Sequence, residues 1–516
     1  MKTFSQQTVF GGAVINMSSR TLGRILRFVL LMLITLRFGA SHETDAFFIA
    51  QSVCFSFLLL GEGLFNFSFL PVFVDRRKQK GEAEAWELAK STFTYVNGFL
   101  IVVTLVVFLF ASPIASMLAP GFSENARSLT AALIRVTSPV PLLVGLSAII
   151  AVIFYSYRSY LLPASTALFE SLGPILAIIL VADAFGIASI AWGLVFGVGL
   201  RALTLLYAVK KKKPDFGLSW KIKESGVAKV GNLSWPRFLG ISLNNLNLVI
   251  DRLLASGLGV GYVSCLTCAY RLFEAPSAIL IATFGRTLMP VFAESASGGS
   301  TGELRRFVSI SIRTIGFIII PFATALFLLR VPLVDALFRR GAFTSDDAQL
   351  TSTVFLFYDI GLASLCFNLI LSGVFYALQD AMTPLKIGLV NAVLNIAADL
   401  VLIRLMGLAG IALSTSLIAL LNSVLLFFLL KKRIGNLYAG AIMMSLSKIA
   451  LASLLMGVAV WFFQANFDPV PVLNNRFLRL GLLLFAAMVT YLVACVVLRV
   501  RECRYVMGIV KHGFSR

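Results

Sequence analysis

The stretch FYSYRSYLLP at residues 154–163 aligns 221 positions later with FYALQDAMTP at residues 375–384, where Phe154-Tyr155 recurs as Phe375-Tyr376 and Pro163 as Pro384. Further matches at that offset are Gly186 with Gly407, Ile190-Ala191 with Ile411-Ala412, and Lys210 with Lys431, while an offset of 219 relates Pro71 to Pro290, Pro113 to Pro332 and Leu118 to Leu337. Matches that keep glycine and proline in one register indicate a duplicated unit. Duplicated halves built from membrane helices are typical of transporters.

The composition is that of a membrane protein. Hydrophobic residues make up 59% of the 516 positions, charged residues make up 13%, and the mean hydropathy is +0.91. These values exclude a soluble domain. Because a span needs about 20 apolar residues, the chain holds about fourteen candidates. We place them near 20–40, 45–74, 89–112, 129–156, 162–183, 186–209, 235–256, 261–292, 307–330, 349–378, 384–405, 407–430, 440–464 and 477–499.

The repeat divides these spans into lobes. Residues 1–215 form a predicted N-terminal lobe of six helices, and residues 216–433 form the matching C-terminal lobe. Residues 434–516 add an extra helix pair and a basic tail, for which the first half has no counterpart. The predicted fold is therefore an all-α polytopic membrane protein with two pseudo-symmetric lobes and a C-terminal helix pair.

The net charge of +20 is arranged to orient the chain in a membrane. The basic clusters follow even-numbered spans or precede odd-numbered ones: Arg76 to Lys78, Lys210 to Lys213, Arg305-Arg306, Lys431 to Arg433 and the tail from Arg499. Arg339-Arg340 is an exception. The positive-inside rule then places both termini in the cytoplasm. Most of this charge sets topology and suits anionic lipid headgroups, so we expect no nucleic-acid partner.

Nothing in the sequence indicates an enzyme. There is no phosphate-binding loop, nucleophile triad or ATP-hydrolysis signature, and we expect no cofactor and no metal site. Cys265 and Cys268 have CxxC spacing but lie in an apolar helix without a second pair, which favours packing over zinc or redox chemistry. Energy for transport would come from the membrane potential, a monovalent-ion gradient or the substrate's own gradient.

The first span carries three arginines on one helix face. Arg20, Arg24 and Arg27 are spaced i, i+4 and i+7. One interpretation is that these side chains snorkel to the interface. The other is a cavity stripe that attracts a phosphate-bearing headgroup, for which the planar guanidinium is suited.

The second half places further charges in its first two spans. Asp251 ends the first of them, and Arg271 and Glu274 lie three residues apart in the next, followed by Pro276. Burying such groups is costly, so they face a partner, a cavity or the interface. Arg271 and Glu274 form either a self-neutralising bridge or part of a cavity site.

Two acids in the second span complete the candidate set. Asp45 lies at the outer end of that span, and Glu62 lies deeper, between two glycines that permit close helix approach. Glu62 is thus a packing-site acid or a proton-sensitive gate. Glu170 aligns with Asn391 at the repeat offset. We predict gating or charge coupling for Asp45, Glu62, Asp251 and Glu274.

The order of several short motifs resembles a known family. They are TDAFF at 44–48, Gly61-Glu62-Gly63, Phe69-Leu70-Pro71, Ala119 to Phe122, Tyr270-Arg271-Leu272 with Glu274 and Pro276, Gly341-Ala342-Phe343, and FYALQD with Thr383-Pro384. Together they are similar to the MurJ (MviN) family of lipid II flippases, in the multidrug/oligosaccharidyl-lipid/polysaccharide exporter superfamily. The resemblance runs from about Ser18 to Arg433.

The resemblance implies a fourteen-helix flippase of the bacterial cytoplasmic membrane. Two six-helix lobes would enclose a central cavity, and the last helix pair would form a lipid-facing groove. Such a protein moves lipid II, the undecaprenyl-pyrophosphate-linked peptidoglycan precursor, from the inner to the outer leaflet by alternating access. Arg20, Arg27 and Arg271 match the family's cavity arginines, Asp45 its acid after the first loop, and Glu62 its second-helix glutamate.

The chain departs from the family pattern at three positions. Relatives usually carry an arginine pair where this chain has Phe57 and Leu58, and commonly aspartate where it has Tyr270. We expect the extra Arg24 to compensate for the lost positive charge.

Other functions stay open at this point. One alternative is a flippase for another polyprenyl-linked oligosaccharide, and another is an ion-coupled small-molecule antiporter. A transport-inactive scaffold for cell-wall synthesis would tolerate loss of Arg20 and Arg271. The expected partners are lipid II and membrane lipids, with cell-wall synthesis enzymes left open, and a monomer is expected because each chain contains both lobes.

Overall fold

The computed structural model describes residues 8–58, 61–221, 226–298, 301–467 and 476–503. Throughout these ranges the regular elements are helices, nineteen in number, and no strand is present. The all-α prediction is therefore confirmed. The chain separates into two compact units, Met1–Ser264 and Cys265–Arg516.

The first unit contains the helices up to the middle of the chain. They are α1 (Val9–Phe38), α2 (His42–Leu58), α3 (Glu62–Lys80), α4 (Glu82–Leu109), α5 (Ala111–Leu118), α6 (Glu124–Thr137), α7 (Val140–Ser156), α8 (Leu161–Thr166), α9 (Phe169–Phe185), α10 (Ala188–Lys212) and α11 (Val227–Ser256). Its core is aromatic and joins α3, α4 and α7 through Phe73, Trp86 and Phe154. Because lipid tails are as apolar as these side chains, close packing is what stabilises the core.

The second unit contains the remaining helices. They are α12 (Tyr262–Ser297), which begins in the first unit, and then α13 (Thr301–Leu337), α14 (Ser345–Asp359), α15 (Leu362–Ala377), α16 (Met382–Met406), α17 (Leu408–Ile434), α18 (Ala439–Phe467) and α19 (Arg476–Val497). The last two helices pack on α13, where the Tyr491 hydroxyl donates to the Phe317 carbonyl at 2.8 Å. Arg313 and Glu502 add an ion pair at 3.1 Å.

Ten helical segments among the described residues are long and apolar enough to cross a membrane. They coincide with predicted spans three to six and nine to fourteen. The helices at the other four predicted spans, α1, α2 with α3, α11 and α12, carry the candidate ionisable residues. The chain is a multi-pass membrane protein, whereas the count of fourteen spans and the lobe boundaries at 215 and 433 remain predictions.

The repeat is reproduced in the backbone of each half. After α7, Arg158 has φ 57°, and after α15, Gln379 has φ 59°. In both turns a backbone N–H returns to the phenylalanine that opens the motif: Ser159 donates to Phe154 at 3.0 Å, and Asp380 donates to Phe375 at 2.9 Å. Residues other than glycine rarely adopt this left-handed backbone conformation, so its recurrence 221 residues later supports a common origin of the two halves.

Candidate functional site

The arginine stripe lies on the uninterrupted helix α1. Its N-cap is Thr8, whose side chain accepts from the Gly11 N–H at 3.1 Å. Arg20 and Arg27 are exposed, and Arg24 is half-buried. Because the helix is continuous from Val9 to Phe38, the three guanidinium groups share the face that their spacing predicted.

Arg271 and Glu274 form the ion pair that their spacing permits. The Arg271 Nη1 donates to Glu274 Oε2 at 2.6 Å, and both side chains are partly exposed, at 36% and 43%. The helix α12 continues through Pro276 and Pro290, so Pro276 does not end it. The pair therefore presents a guanidinium that is partly neutralised yet still accessible.

Asp45 is fully buried in the first turn of α2, where donors from the start of α12 surround it. The Gly261 N–H donates to Oδ2 at 2.6 Å, and the N–H and hydroxyl of Ser264 donate to Oδ1 at 2.8 and 2.5 Å. These three donors satisfy both oxygens of the buried carboxylate. Asp45 thus fastens the beginning of α12, and its predicted gating role remains a prediction.

Glu62 lies at the first position of α3 and takes part in a charged cluster. Arg201 of α10 donates to Glu62 and also to Glu170 of α9. The Tyr155 hydroxyl of α7 donates to the second oxygen of Glu62 at 2.9 Å. Three helices thereby meet at one guanidinium, whose side chain is only 6% exposed, and α7 joins them through Glu62.

Arg201 is a residue that the sequence reasoning missed. It lies inside an apolar span, and an intramembrane arginine is by itself a signal of a functional or paired position. Its acidic partners are 31 and 139 residues away, so no local spacing indicates them. Glu170, noted only for its alignment with Asn391, is thereby placed in the same cluster as Glu62.

Two further acids, Asp251 and Asp399, are buried. Asp251 of α11 is 4% exposed, and its neighbour Arg252 donates to the Phe48 carbonyl at 2.9 Å. In the second unit Asp399 of α16 is fully buried and accepts from the Ser414 hydroxyl, which also accepts from Asn395 Nδ2 at 3.1 Å. Sequence reasoning missed Asp399, although an acid inside an apolar span could have signalled it.

The predicted site residues divide between the two units. Arg20, Arg24, Arg27, Asp45, Glu62 and Asp251 belong to the first unit, and Arg271 and Glu274 belong to the second. The side chains of Phe57 and Leu58 lie outside the described residues. In chemical terms the exposed guanidinium groups can bind an anion, and the buried carboxylates can hold charge within the helices.

Repeated halves and membrane-spanning helices, with further arginines on α1 and α12, are the features of a membrane transporter. A family model described as "Lipid II flippase MurJ" matches residues 34–480. The chain belongs to this family.

Individual relatives agree with the family match. The chain is 29% identical over 501 residues to a probable lipid II flippase MurJ from Buchnera aphidicola, covering 95% of this chain and 97% of the relative. It is also 29% identical over 446 residues to the lipid II flippase MurJ of Burkholderia cenocepacia, covering 84% and 86%.

Solved structures match the fold. A lipid II flippase MurJ in an inward closed conformation superposes with a TM-score of 0.79 at 22% identity, covering 94% of this chain and 99% of that one. An inward-facing multidrug resistance MATE family transporter of the MOP superfamily gives 0.68 at 15% identity, covering 82% and 98%. These likenesses concern the fold, whereas the family resemblance read from the motifs is confirmed by the family match.

Proposed function

We propose that this chain moves lipid II from the inner to the outer leaflet of the bacterial cytoplasmic membrane by alternating access. The observation that carries the proposal is the family match, which extends through both halves of the repeat. A lipid-linked sugar has a polar head that cannot cross hydrocarbon unaided and a polyprenyl tail that can stay in lipid. A polar pathway for the head with an opening toward lipid for the tail meets both requirements.

The pyrophosphate is the part of the substrate that the arginines would bind. Arg20, Arg24 and Arg27 present three guanidinium groups along α1, and Arg271 adds a fourth from α12. A guanidinium can donate two parallel hydrogen bonds to a phosphate and keeps its charge at all physiological pH values. The ion pair of Arg271 with Glu274 would favour release of the substrate, because the Glu274 carboxylate competes with the phosphate for the N–H donors of Arg271.

The acids would couple charge to the change of conformation. Asp45 and Glu62 each join helices through several hydrogen bonds, so breaking those bonds would accompany a rearrangement. Asp251 and Glu274 are the corresponding candidates in the second half of the sequence. The driving force would be the membrane potential or a monovalent ion, since moving one charge through 100 mV is worth about 2.3 kcal/mol.

The basic clusters would place both termini in the cytoplasm. The chain would act as a monomer, because it contains both repeats. It would need no cofactor. Membrane lipids would surround it, and cell-wall synthesis enzymes that use lipid II are the natural partners for a product delivered to the outer leaflet.

Complementation tests the proposal. Bacteria depleted of their own lipid II flippase would express this chain, and the lipid II accessible on the outer leaflet would be measured. We expect rescue by the wild type, loss of rescue by Arg271→Ala, and retention by Arg404→Ala, which removes an exposed arginine at the end of α16. Failure of the wild type despite correct insertion would contradict lipid II transport and favour another polyprenyl-linked glycan or a scaffold.

A further inference from the structure

The cluster around Arg201 is charged and largely buried, and the proposed mechanism assigns a role only to its Glu62. The guanidinium binds Glu62 through one terminal nitrogen and Glu170 through the other. The side chains of these glutamates are 19% and 29% exposed, against 6% for Arg201. The arginine is therefore the inner member, and the carboxylates form the outer edge of the cluster.

The cluster contains one arginine and two glutamates, and α1 packs close by: the Ser19 hydroxyl donates to the Ala164 carbonyl, and Gly23 faces Leu168, two residues before Glu170. Arg20 lies close enough to the Tyr155 phenol to act on it electrostatically, as Arg201 does, and that phenol donates to Glu62 at 2.9 Å. Among the described residues Arg20 has no ion-pair partner. The first arginine of the α1 stripe thus lies near the phenol that donates to Glu62, while Glu62 and Glu170 are both paired with Arg201.

We propose that Arg201 is a positioning residue for the anion site: it holds Glu62 and Glu170, so that neither carboxylate neutralises Arg20. This inference rests on the proposed function, in which Arg20 binds the pyrophosphate. A carboxylate fixed next to an arginine competes with a ligand as an intramolecular partner of high effective concentration. Arg201 removes that competition by occupying both carboxylates at once.

The shape of the guanidinium explains why arginine is needed. Its two terminal nitrogens point in different directions and can serve two carboxylates on different helices, whereas a lysine ammonium is a single point of charge. Glu62 and Glu170 come from α3 and α9, so both must be bound from α10. We therefore expect lysine at position 201 to hold only one of the two glutamates well.

The experiment measures binding of undecaprenyl pyrophosphate and of lipid II to the full-length protein in nanodiscs. The variants are Arg201→Gln, Arg201→Lys, the pair Glu62→Gln and Glu170→Gln, and the triple variant that combines this pair with Arg201→Gln. Arg404→Gln is the matched control. Melting temperature and monodispersity are recorded for each protein, since breaking a buried ion pair is itself destabilising.

The triple variant separates positioning from a merely structural role. We expect Arg201→Gln to weaken binding of both lipids about tenfold, Arg201→Lys to fall between it and the wild type, and the triple variant to bind within about threefold of the wild type. A triple variant as weak as Arg201→Gln, or an Arg201→Gln protein that binds normally, overturns the proposal.

A second comparison applies if Arg201→Gln does not fold. Arg201→Lys keeps a charge at this position, and it should bind both lipids more weakly than the wild type, whereas adding Glu62→Gln and Glu170→Gln to it should restore binding to within about threefold of the wild type. Wild-type binding by Arg201→Lys, or no restoration when the two glutamates are replaced, overturns the proposal. The proposed function fails separately, if the wild type binds neither lipid or if Arg20→Ala binds as well as the wild type.

Discussion

The helix pairs α9/α10 and α16/α17 occupy equivalent places in the two halves of the sequence, yet different contacts join them. In the first pair the backbones meet at glycines, and a Cβ on Gly193 would lie 2.6 Å from the Ala177 Cβ. In the second pair Ser414 stands where Gly193 stands in the first, and it bonds to Asn395 and Asp399. One pair therefore associates by close backbone approach, and the other by polar side chains.

The charged residues also lie at different positions in the two halves. Glu170 and Arg201 correspond at the repeat offset to Asn391 and Asn422, while Asp399 corresponds to Ile178. The acid of the second half, Asp399, thus lies about two turns further along its helix than Glu170 lies along the equivalent helix of the first half. Duplication has kept the turns of the backbone, whereas the two halves carry their charged residues at different positions.

The largest expected effect on stability comes from forcing apart the backbones of α9 and α10. Gly197→Ala would place a methyl group against the Phe169 carbonyl, a backbone atom that cannot move independently of α9. We expect a loss of about 3 kcal/mol, seen as a clear fall in melting temperature in detergent. The control is Gly199→Ala on the same helix, whose methyl group would meet only the Leu143 Cδ1 at 3.8 Å. Equal melting temperatures for the two variants would show that the backbones of α9 and α10 are not in contact.

The next effect concerns the polar contact of the second pair. Ser414→Ala removes the hydroxyl that donates to Asp399 and accepts from Asn395. A hydrogen bond to a buried carboxylate is worth about 2 kcal/mol, so the melting temperature should fall by less than for Gly197→Ala. Ser447→Ala, which removes an exposed hydroxyl bonded to the Met444 carbonyl, serves as the control and should be neutral. A neutral Ser414→Ala would mean that packing alone holds α16 to α17.

This contrast also shows what could be predicted from the sequence. Spans, turns and the Arg271–Glu274 pair follow from local patterns, because hydropathy, glycine and proline, and i,i+3 spacing act within a few residues. Arg201 and Asp399 could have been flagged as charges inside apolar spans, but their partners could not. The groups that satisfy them come from other helices, and only tertiary packing determines which helices adjoin.

The third prediction tests whether the two repeated turns are equivalent. Arg158 and Gln379 are exposed and have nearly equal positive φ angles, so the cost of a β-branched residue there comes from the backbone alone. Arg158→Val and Gln379→Val should each cost about 1–2 kcal/mol. Arg158→Gly and Gln379→Gly should be neutral or slightly stabilising, since glycine adopts this conformation without strain. Melting curves of the four variants check this, and a loss at one turn only would mean that the turns have diverged.

The smallest expected effect on stability comes from the charge that only the second of these two turns carries at this position. Asp380 stands where the first half has Ser159, and its carboxylate brings a negative charge to the second turn. The Thr383 hydroxyl donates to it at 2.7 Å and the Thr383 N–H at 3.0 Å, and Arg433 pairs with it, which together hold its carboxyl pKa below the ordinary value. A carboxyl whose pKa is lower in the folded state stabilises the protein above the unfolded pKa of about 4 and loses that contribution as pH falls through the folded value.

Melting temperatures measured from pH 7 downward check this dependence. Asp380→Asn should melt slightly below the wild type at pH 7, and the difference should shrink as the pH falls below about 4, because the wild-type carboxyl then becomes protonated. Asp346→Asn, an exposed acid in the first turn of α14, controls for the general effect of acid on the protein. A difference that stays constant with pH would show that the charge of the Asp380 carboxylate does not contribute to stability. The second turn would then differ from the first in its hydrogen-bond geometry and not in charge.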